Sequence, residues 1–300
     1  MTPAATKNAA ALPLVIWAIA FLSFIVIMLA SRMNEQIDEE TLASKSLRAR
    51  QLALSGIAFG LHPDIKPGHP FLKSGSSDEG FSVEILNESG RINPNLISQP
   101  HYRELLRTLL SSWDIPLDRA DAAIDSLLDW IDPDSLRQLA GAEAPEYSAT
   151  GLDGLPANAP LNSTREMSAI LNLREILAQH EGWSNYFTVW HTDKINIIHA
   201  SPQILADVGR LSEIEIANLT SYRQGPDGLQ GTDDDGPIQS IDDALAIAGI
   251  SGDRANAIRQ FFDVKGNIRR IESSGTCHGL THKITVISPE NGEILSWEEN

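Results

Sequence analysis

Three hundred residues leave room for one membrane anchor and one or two globular units, and 40 acidic against 23 basic residues give a formal charge of −17. So acidic a chain repels phosphate backbones, which argues against nucleic acid as a partner and leaves divalent cations and basic protein surfaces. Cys277 is the single cysteine, so an intrachain disulfide is excluded.

The first predicted element is the uncharged run Ala9–Ala30, AAALPLVIWAIAFLSFIVIMLA. A helix needs about 20 apolar residues to cross a ~30 Å hydrocarbon core, and this run meets that length. It is also longer than the ~7–15 apolar residues of a cleaved secretory signal, so a retained anchor is expected. Lys7 precedes the run, while Arg32 and the acidic Glu35, Asp38, Glu39 and Glu40 follow it, which places the bulk of the chain on the outer side. Apolar residues then continue at helical spacing through Ile37, Leu42, Leu47, Leu54, Ile57 and Leu61, with no proline from Leu14 to His62. The spacing predicts one helix of roughly 50 residues, about 75 Å long, apolar on all sides in its first half and on one side in its second. The one-sided half, through Ile37, Leu47, Leu54 and Ile57, is the expected packing face for partner helices.

Pro63–Gly80 is rich in Pro, Gly, Ser and His and is expected to be a loop. FSVEILNES (Phe81–Ser89) alternates as a strand and runs into a turn. HYRELLRTLLSSW and LDRADAAIDSLLDWI are spaced as helices, the second bounded by Pro116 and Pro133. Residues 133–162 form a long irregular stretch of the kind that is usually functional. STREMSAILNL is expected to be a helix, capped by Ser163 or Thr164 with Glu166 in its first turn. YFTVWHTDKINII reads as a strand, and SPQILADVGRLSEIEIANLTSYR as two short helices meeting at Gly209-Arg210. After the loop GPDGLQGTDDDGPIQ, SIDDALAIAGI and DRANAIRQFF are helical. The end of the chain forms a three-stranded antiparallel meander with turns at His278-Gly279 and Glu290-Asn291-Gly292. Helices and strands are segregated, which gives an α+β class.

Gly225–Gly236 is the most site-like stretch. Calcium takes six to eight hard oxygen ligands, and Asp227, Asp233, Asp234 and Asp235 with Thr232 supply them in a glycine-rich loop that bends easily. The spacing is not that of an EF-hand, and a solvated acidic turn is the competing reading. A second acidic group, Asp129, Asp132, Asp134, Glu143 and Glu146, reads as helix capping with metal ligation as the alternative. Trp130 reads as core, and Cys277, His278 and His282 as a chance grouping. Ser201–Arg223 has the pattern of a helix-hairpin-helix, but its arginines are offset by Asp207, Glu213 and Glu215, so protein packing is expected there and not DNA binding. No nucleophile, zinc or phosphate-loop motif is present, so the chain is expected not to be an enzyme.

Five phrases in chain order resemble the minor pseudopilin K family of the type II secretion system, the general secretion pathway protein K family. They are LRARQLALSGIA, then VEILNESGRINPN (Val83–Asn95), then AIDSLLDWIDPDS with GAEAPEY (Ala123–Tyr147). NAPLNSTREMSAILNL and KINIIHASPQILADVGRLSEIEIANLTSYR (Lys194–Arg223) follow. The resemblance implies a pilin-like scaffold with a long N-terminal helix, a small antiparallel sheet and an inserted all-helical domain. It implies a place at the tip of the periplasmic pseudopilus with the minor pseudopilins I and J, a requirement for calcium, and processing by the prepilin peptidase. Aligning Trp17 with the family's tryptophan puts Ala9 before the cut and Ala10 at the mature start, where the family's glycine is absent. Leu14 then stands where pilins carry a glutamate and protein K typically does not. A subunit with nothing above it needs no such acid, and an unpaired carboxylate in lipid is costly.

The expected organisation is a short leader (1–9), the transmembrane half of the stem (10–32), and the rest of the stem with the first strand (33–95). An inserted helical domain (96–185) follows, then the helix-hairpin-helix-like segment, acidic loop and C-terminal strands (186–300). The expected location is the bacterial inner membrane by a single pass, with the bulk in the periplasm. Secreted cargo or the secretin are further expected contacts. The alternative is a ligand- or DNA-binding subunit of an uptake or adhesion system.

Overall fold

The computed structural model describes residues 11–191, 194–289 and 291–300, with backbone alone for 11–13 and 29–41. Helix α1 runs unbroken from Ala11 to Leu61, 51 residues, as the uninterrupted apolar spacing predicts. From Leu14 to Met28 its described side chains, apolar except for Ser23, are exposed on all sides. Among the described residues no helix is long and apolar enough to cross a membrane, and the run Ala9–Ala30 lies partly outside them.

The last turns of α1 lie on a sheet, and small residues make the approach close. Ala49, Ala53, Gly56, Ile57 and Gly60 share one face and are buried. The sheet has the order β1 (Lys73–Gly75), β2 (Glu79–Asn87), β5 (Ile268–Cys277), β6 (Leu280–Pro289) and β7 (Ser296–Glu299), with every neighbouring pair antiparallel. β5 and β6 are joined by His278-Gly279 with φ of 47° and 84°, the paired left-handed residues of a tight hairpin. Phe81, Val83, Ile271, Ile284 and Val286 close a small core with Ala53 and Ile57 of the stem. Glu299 fastens the last strand to the helix by accepting from Arg50 at 2.6 and 2.8 Å. The C-terminal meander is therefore as expected, and the expected loop Pro63–Gly80 carries a 3-10 turn (Pro70–Leu72), the short edge strand β1 and the start of β2.

β2 and β5 are neighbours in the sheet, yet the whole helical part of the chain lies between them in sequence. It contains α2 (Pro100–Ser112), α3 (Leu117–Ile131), α4 (Ala144–Ala149), α5 (Arg174–Gln179), α6 (Pro202–Asp207), α7 (Glu213–Gln224), α8 (Ile241–Ala248) and α9 (Gly252–Phe261). Two short parallel strands, β3 (Ile195–Asn196) in its middle and β4 (Phe262–Asp263) near its end, pair with each other. One apolar core runs through it from Ile92 to Phe262. The expected boundary at 185/186 therefore does not divide the packing: the hairpin helices α6–α9 share the core of α2 and α3.

Two local expectations change. Residues 163–173 form a 3-10 helix, Thr164–Ala169, opened by the predicted Ser163/Glu166 capping box and not continued as an α-helix. It ends at Ile170, whose backbone is extended, and Asn172, with φ of 63°, turns the chain into α5. The expected strand over Tyr186–Ile198 shrinks to β3 and a single bridge between Ile92 and Phe187. Side chains compete with the ladder there: Thr188 Oγ1 accepts from Trp190 N at 3.4 Å, and Asn196 Oδ1 from Ile198 N at 2.9 Å, each bending the chain.

Glu88, where the chain leaves the sheet, is 2% exposed and faces Arg91 at 3.4 Å and Arg270 at 3.3 Å. Glu88→Ala strands a mostly buried Arg91 without its acid, whereas Arg270 keeps Glu272 at 2.5 Å. The expected cost is about 3 kcal/mol in urea unfolding, near the lower end for a broken buried pair. An unchanged midpoint would show that this junction does not depend on the pair.

Candidate functional site

The two acidic groups read from the sequence differ in how far their oxygens are satisfied. In the loop after α7, Asp227 accepts from Leu229 N at 2.7 Å, and Asp234 from Asp227 N at 3.1 Å and Thr232 Oγ1 at 2.6 Å. Asp235 accepts from Gly231 N at 2.6 Å and from Thr232 Oγ1 at 3.1 Å, while Asp233 turns outward to an ion pair with Lys66. Thr232 thus brings Asp234 and Asp235 together, Asp227 is linked through its backbone, and Asp233 stands apart. The loop is exposed and folded on its own carboxylates, which hold the place of backbone partners. The bonds from Thr232 and Asp227 keep Asp234 below the usual carboxylate range.

In the second group Asp129, Asp132 and Glu143 carry buried oxygens without hydrogen bonds. α3 is amphipathic and ends at Asp132, whose extended backbone precedes Pro133. The chain then loops back over the helix end. Asp129, fully buried on α3, takes Gln138 N on Oδ1 at 2.9 Å, and its Oδ2 has no hydrogen-bond partner. Asp132 Oδ1 and both carboxylate oxygens of Glu143 are likewise buried without a hydrogen bond, as is Asn158 Oδ1. Glu143 is the N-cap residue of α4, and Glu146 accepts from Glu143 N at 3.0 Å. Asn158 is held against the same loop by donating to Asp134 O at 3.0 Å. Burial, with Asp132 and Asp125 nearby, pushes the Asp129 carboxyl up to about 6. Burial and the charges of Asp129 and Asp132 raise Glu143 as well.

Buried carboxylates without donors are costly, and a hard cation is the partner that such oxygens fit. Asp129, Asp132, Glu143 and the Asn158 carbonyl have the right chemistry for calcium, by virtue of these orphaned atoms. Among the described residues no three His, Cys, Asp or Glu side chains are already gathered at ligating distance, so an ion would have to draw them in. The capping role expected of this group applies to Glu146, whereas Asp134 closes a local turn by accepting from Leu136 N at 2.8 Å. Capping does not account for Asp129, which lies inside α3. The signal in the sequence was the spacing Asp129, Asp132, Asp134 followed by Glu143, which helix capping also explains.

The remaining predicted residues fall as follows. Ala9 and Ala10 lie outside the described residues, and Ile37 lies in α1 with its side chain outside them. Leu47 is exposed on the stem, Leu54 is half-buried, and Ile57 is buried against this chain's own sheet. Cys277 is buried at the end of β5, whereas His282 bonds Glu299 at 3.2 Å. Trp130 is core, packed on Tyr147.

Residues 86–180, which carry the buried acidic group, match the family model described as type II secretion system (T2SS), protein K. The type II secretion system protein K of Pectobacterium carotovorum subsp. carotovorum is 25% identical over 142 residues, 45% of this chain and 43% of that protein. The match thus spans under half the length of this curated relative. A chain of the crystallised GspK-GspI-GspJ complex from the enterotoxigenic Escherichia coli type 2 secretion system has the same fold. Its TM-score is 0.61 at 20% identity, over 90% of this chain and 99% of that one. The family model and the curated relative thus make part of this chain similar to type II secretion system protein K, and the solved structure shows that it shares the fold of a chain of the GspK-GspI-GspJ complex.

Proposed function

We propose that this chain is a non-enzymatic minor pseudopilin that caps a type II secretion pseudopilus, anchored in the inner membrane with its bulk in the periplasm. The observation that carries this reading is the insertion of a large helical domain between neighbouring strands β2 and β5, beside the free length of the stem. Such bulk leaves no room for another subunit above it while the stem remains available below. The all-round apolar surface of Leu14–Met28 supports the anchor. Cleavage at Ala9-Ala10 by the prepilin peptidase is part of the same proposal.

The partners proposed are the minor pseudopilins I and J, by analogy with the complex whose fold this chain shares. The stem positions available to partners include Leu42 and Leu47, both exposed, because Ile57 and part of Leu54 serve the chain's own sheet. Leu42→Glu/Leu47→Glu in the full chain is expected to abolish co-purification with I and J while leaving the melting temperature within about 2 °C, as exposed sites do. Full co-purification by this variant would remove the stem from the interface. Contact of the helical domain with cargo or the secretin belongs to the same reading. The DNA-binding alternative is disfavoured by arginines already paired with acids, among them Arg254 with Glu215 and Arg259 with Asp242.

Calcium is the proposed stabilising ion. What supports it is the set of orphaned oxygens on Asp129, Asp132, Glu143 and Asn158. The loop residues Asp227, Thr232, Asp233, Asp234 and Asp235 are a second proposed site, which an ion would occupy by displacing Lys66 and the loop's internal bonds. The ion would supply positive charge to the folded state and no chemistry.

A further inference from the structure

Helices α6–α9 contain the same unit twice, 39 residues apart in sequence. Ser201 and Ser240 are N-caps of the first helix of each unit, and each accepts a hydrogen bond from the amide three residues on. Arg210 and Gly249 both turn the chain in the left-handed region, with φ of 53° and 80°. Leu211 and Ile250 follow, buried alike, and Ser212 and Ser251 start the second helices. Leu219 and Ile258 then occupy the same buried position. The second unit therefore shows what the turn requires, which is glycine. The first unit carries an arginine there despite the strain a side chain meets at that φ.

That arginine stands over a cavity. A hollow of about 220 Å³ is lined by Thr108 of α2, by Val208, Gly209 and Arg210 at the turn of the first unit, and by Arg254, Ala257, Ile258 and Phe261 of the second. The two arginines are not equivalent. Arg254 is fixed by Glu215 at 2.6 and 3.0 Å and donates to Arg210 O at 3.2 Å, whereas Arg210 is exposed and, among the described residues, makes no ion pair. The cavity is smaller than the ~300–1,000 Å³ of pockets for drug-sized ligands, so it suits a single aliphatic side chain.

We infer that this cavity receives the C-terminal residue of another polypeptide, its aliphatic side chain between Val208 and Ile258 and its carboxylate on Arg210. A chain end is favoured over an acidic segment for two reasons. It places one carboxylate on the very residue whose side chain fills the hollow, as a single cation at the rim requires. A ligand with several acids would also be repelled by a protein of charge −17. The inference is independent of a place at a pseudopilus tip.

The test is fluorescence anisotropy with the full chain in detergent micelles and a labelled Gly-Ser-Gly-Ser-Leu peptide. The free acid should bind saturably and the C-terminal amide about tenfold more weakly, the loss expected for a charge-assisted contact. An amidated peptide with an internal Asp-Leu pair separates a side-chain carboxylate from a chain end and should bind no better than the simple amide. Arg210→Gly should lose the preference for the acid while melting at or above the wild-type temperature, because the repeat uses glycine at that turn. Ala257→Trp, at the cavity wall, should block both peptides. Equal binding of acid and amide, unchanged binding by Arg210→Gly, or no saturable binding at all would overturn the inference.

Discussion

Gly275→Ala is expected to open the seam between the stem and the sheet and to cost more than ~3 kcal/mol, beyond the usual range for overpacking. A Cβ at residue 275 would lie 2.1 Å from Ala49 O and 2.3 Å from Ala53 N. Both are backbone atoms of a regular helix and neither can rotate away, so helix and sheet must separate. Separation would expose the core formed by Ile57, Val83, Ile271 and Ile284. Domains are stable by only about 5–15 kcal/mol, so the variant should lose much of its cooperative unfolding signal in urea. Gly56→Ala is the informative companion. Its Cβ would meet Ser273 Oγ at 2.2 Å and Val83 Cγ2 at 2.8 Å, side-chain atoms that can shift. It should therefore be destabilised less than Gly275→Ala. The reverse order, or an unchanged midpoint for Gly275→Ala, would mean that the stem does not rest on β5 as described.

The second large effect concerns the buried acids, where pH and calcium should act in opposite senses. With its carboxyl pushed up to about 6, Asp129 binds its proton more tightly folded than unfolded. Ion-free protein should therefore gain stability from this group as pH falls through 6 toward 4, and lose it as pH rises through 6. Glu215 and Glu299, held at about 2 by Arg254 and Arg50 respectively, act the other way, but only below the ordinary carboxylate range. After chelation the melting temperature should thus be higher at pH 5 than at pH 7. Calcium at a hundredfold excess over its dissociation constant adds about 2.7 kcal/mol and does so best where the carboxylates are ionised, so the order should reverse. Asp129→Asn should remove both the acid-side gain and most of the calcium response, whereas Asp233→Ala/Asp235→Ala should spare them. A calcium response that survives Asp129→Asn and disappears in the loop variant would assign the ion to residues 227–235. No response in any variant would remove calcium from the proposal.

What the sequence made legible was whatever depends on spacing. The stem follows from an apolar pattern uninterrupted by proline, α3 from its bracketing prolines, and the hairpin from His278-Gly279. What it hid depends on competition between residues far apart. Thr188 and Asn196 spend their side chains on nearby amides, which a reading of β-branched and aromatic content cannot foresee. Among the acids, the adjacent Asp233, Asp234 and Asp235 drew attention because adjacency is visible in one dimension. The buried Asp129 and Glu143 converge only after Pro133 turns the chain back over α3. The twofold hairpin was accessible in principle, since Ser201, Leu211 and Ser212 recur as Ser240, Ile250 and Ser251. Its turn residue differs, Arg210 against Gly249, and that difference masks the repeat.

The placement of the helical domain between adjacent strands also fixes an order of assembly. Asn87 at the end of β2 bonds Asn267 before β5 at 2.9 Å, and 180 residues separate them in sequence. A loop that long is costly to close as an open coil, but a domain with its own core, to whose middle segment both ends are bonded (Ile92 N to Tyr186 O at 2.8 Å, and β4 to β3), brings the two strands together in advance. Synthesis at ~5–20 residues per second leaves β2 and the apolar face of the stem without β5 for about ten seconds or more. During that interval Phe81, Val83 and Ile57 have no sheet to cover them, which makes the nascent chain dependent on a holding factor or on the membrane. A variant that slows folding of the helical domain would then reduce yield through aggregation even if the finished protein were as stable as before.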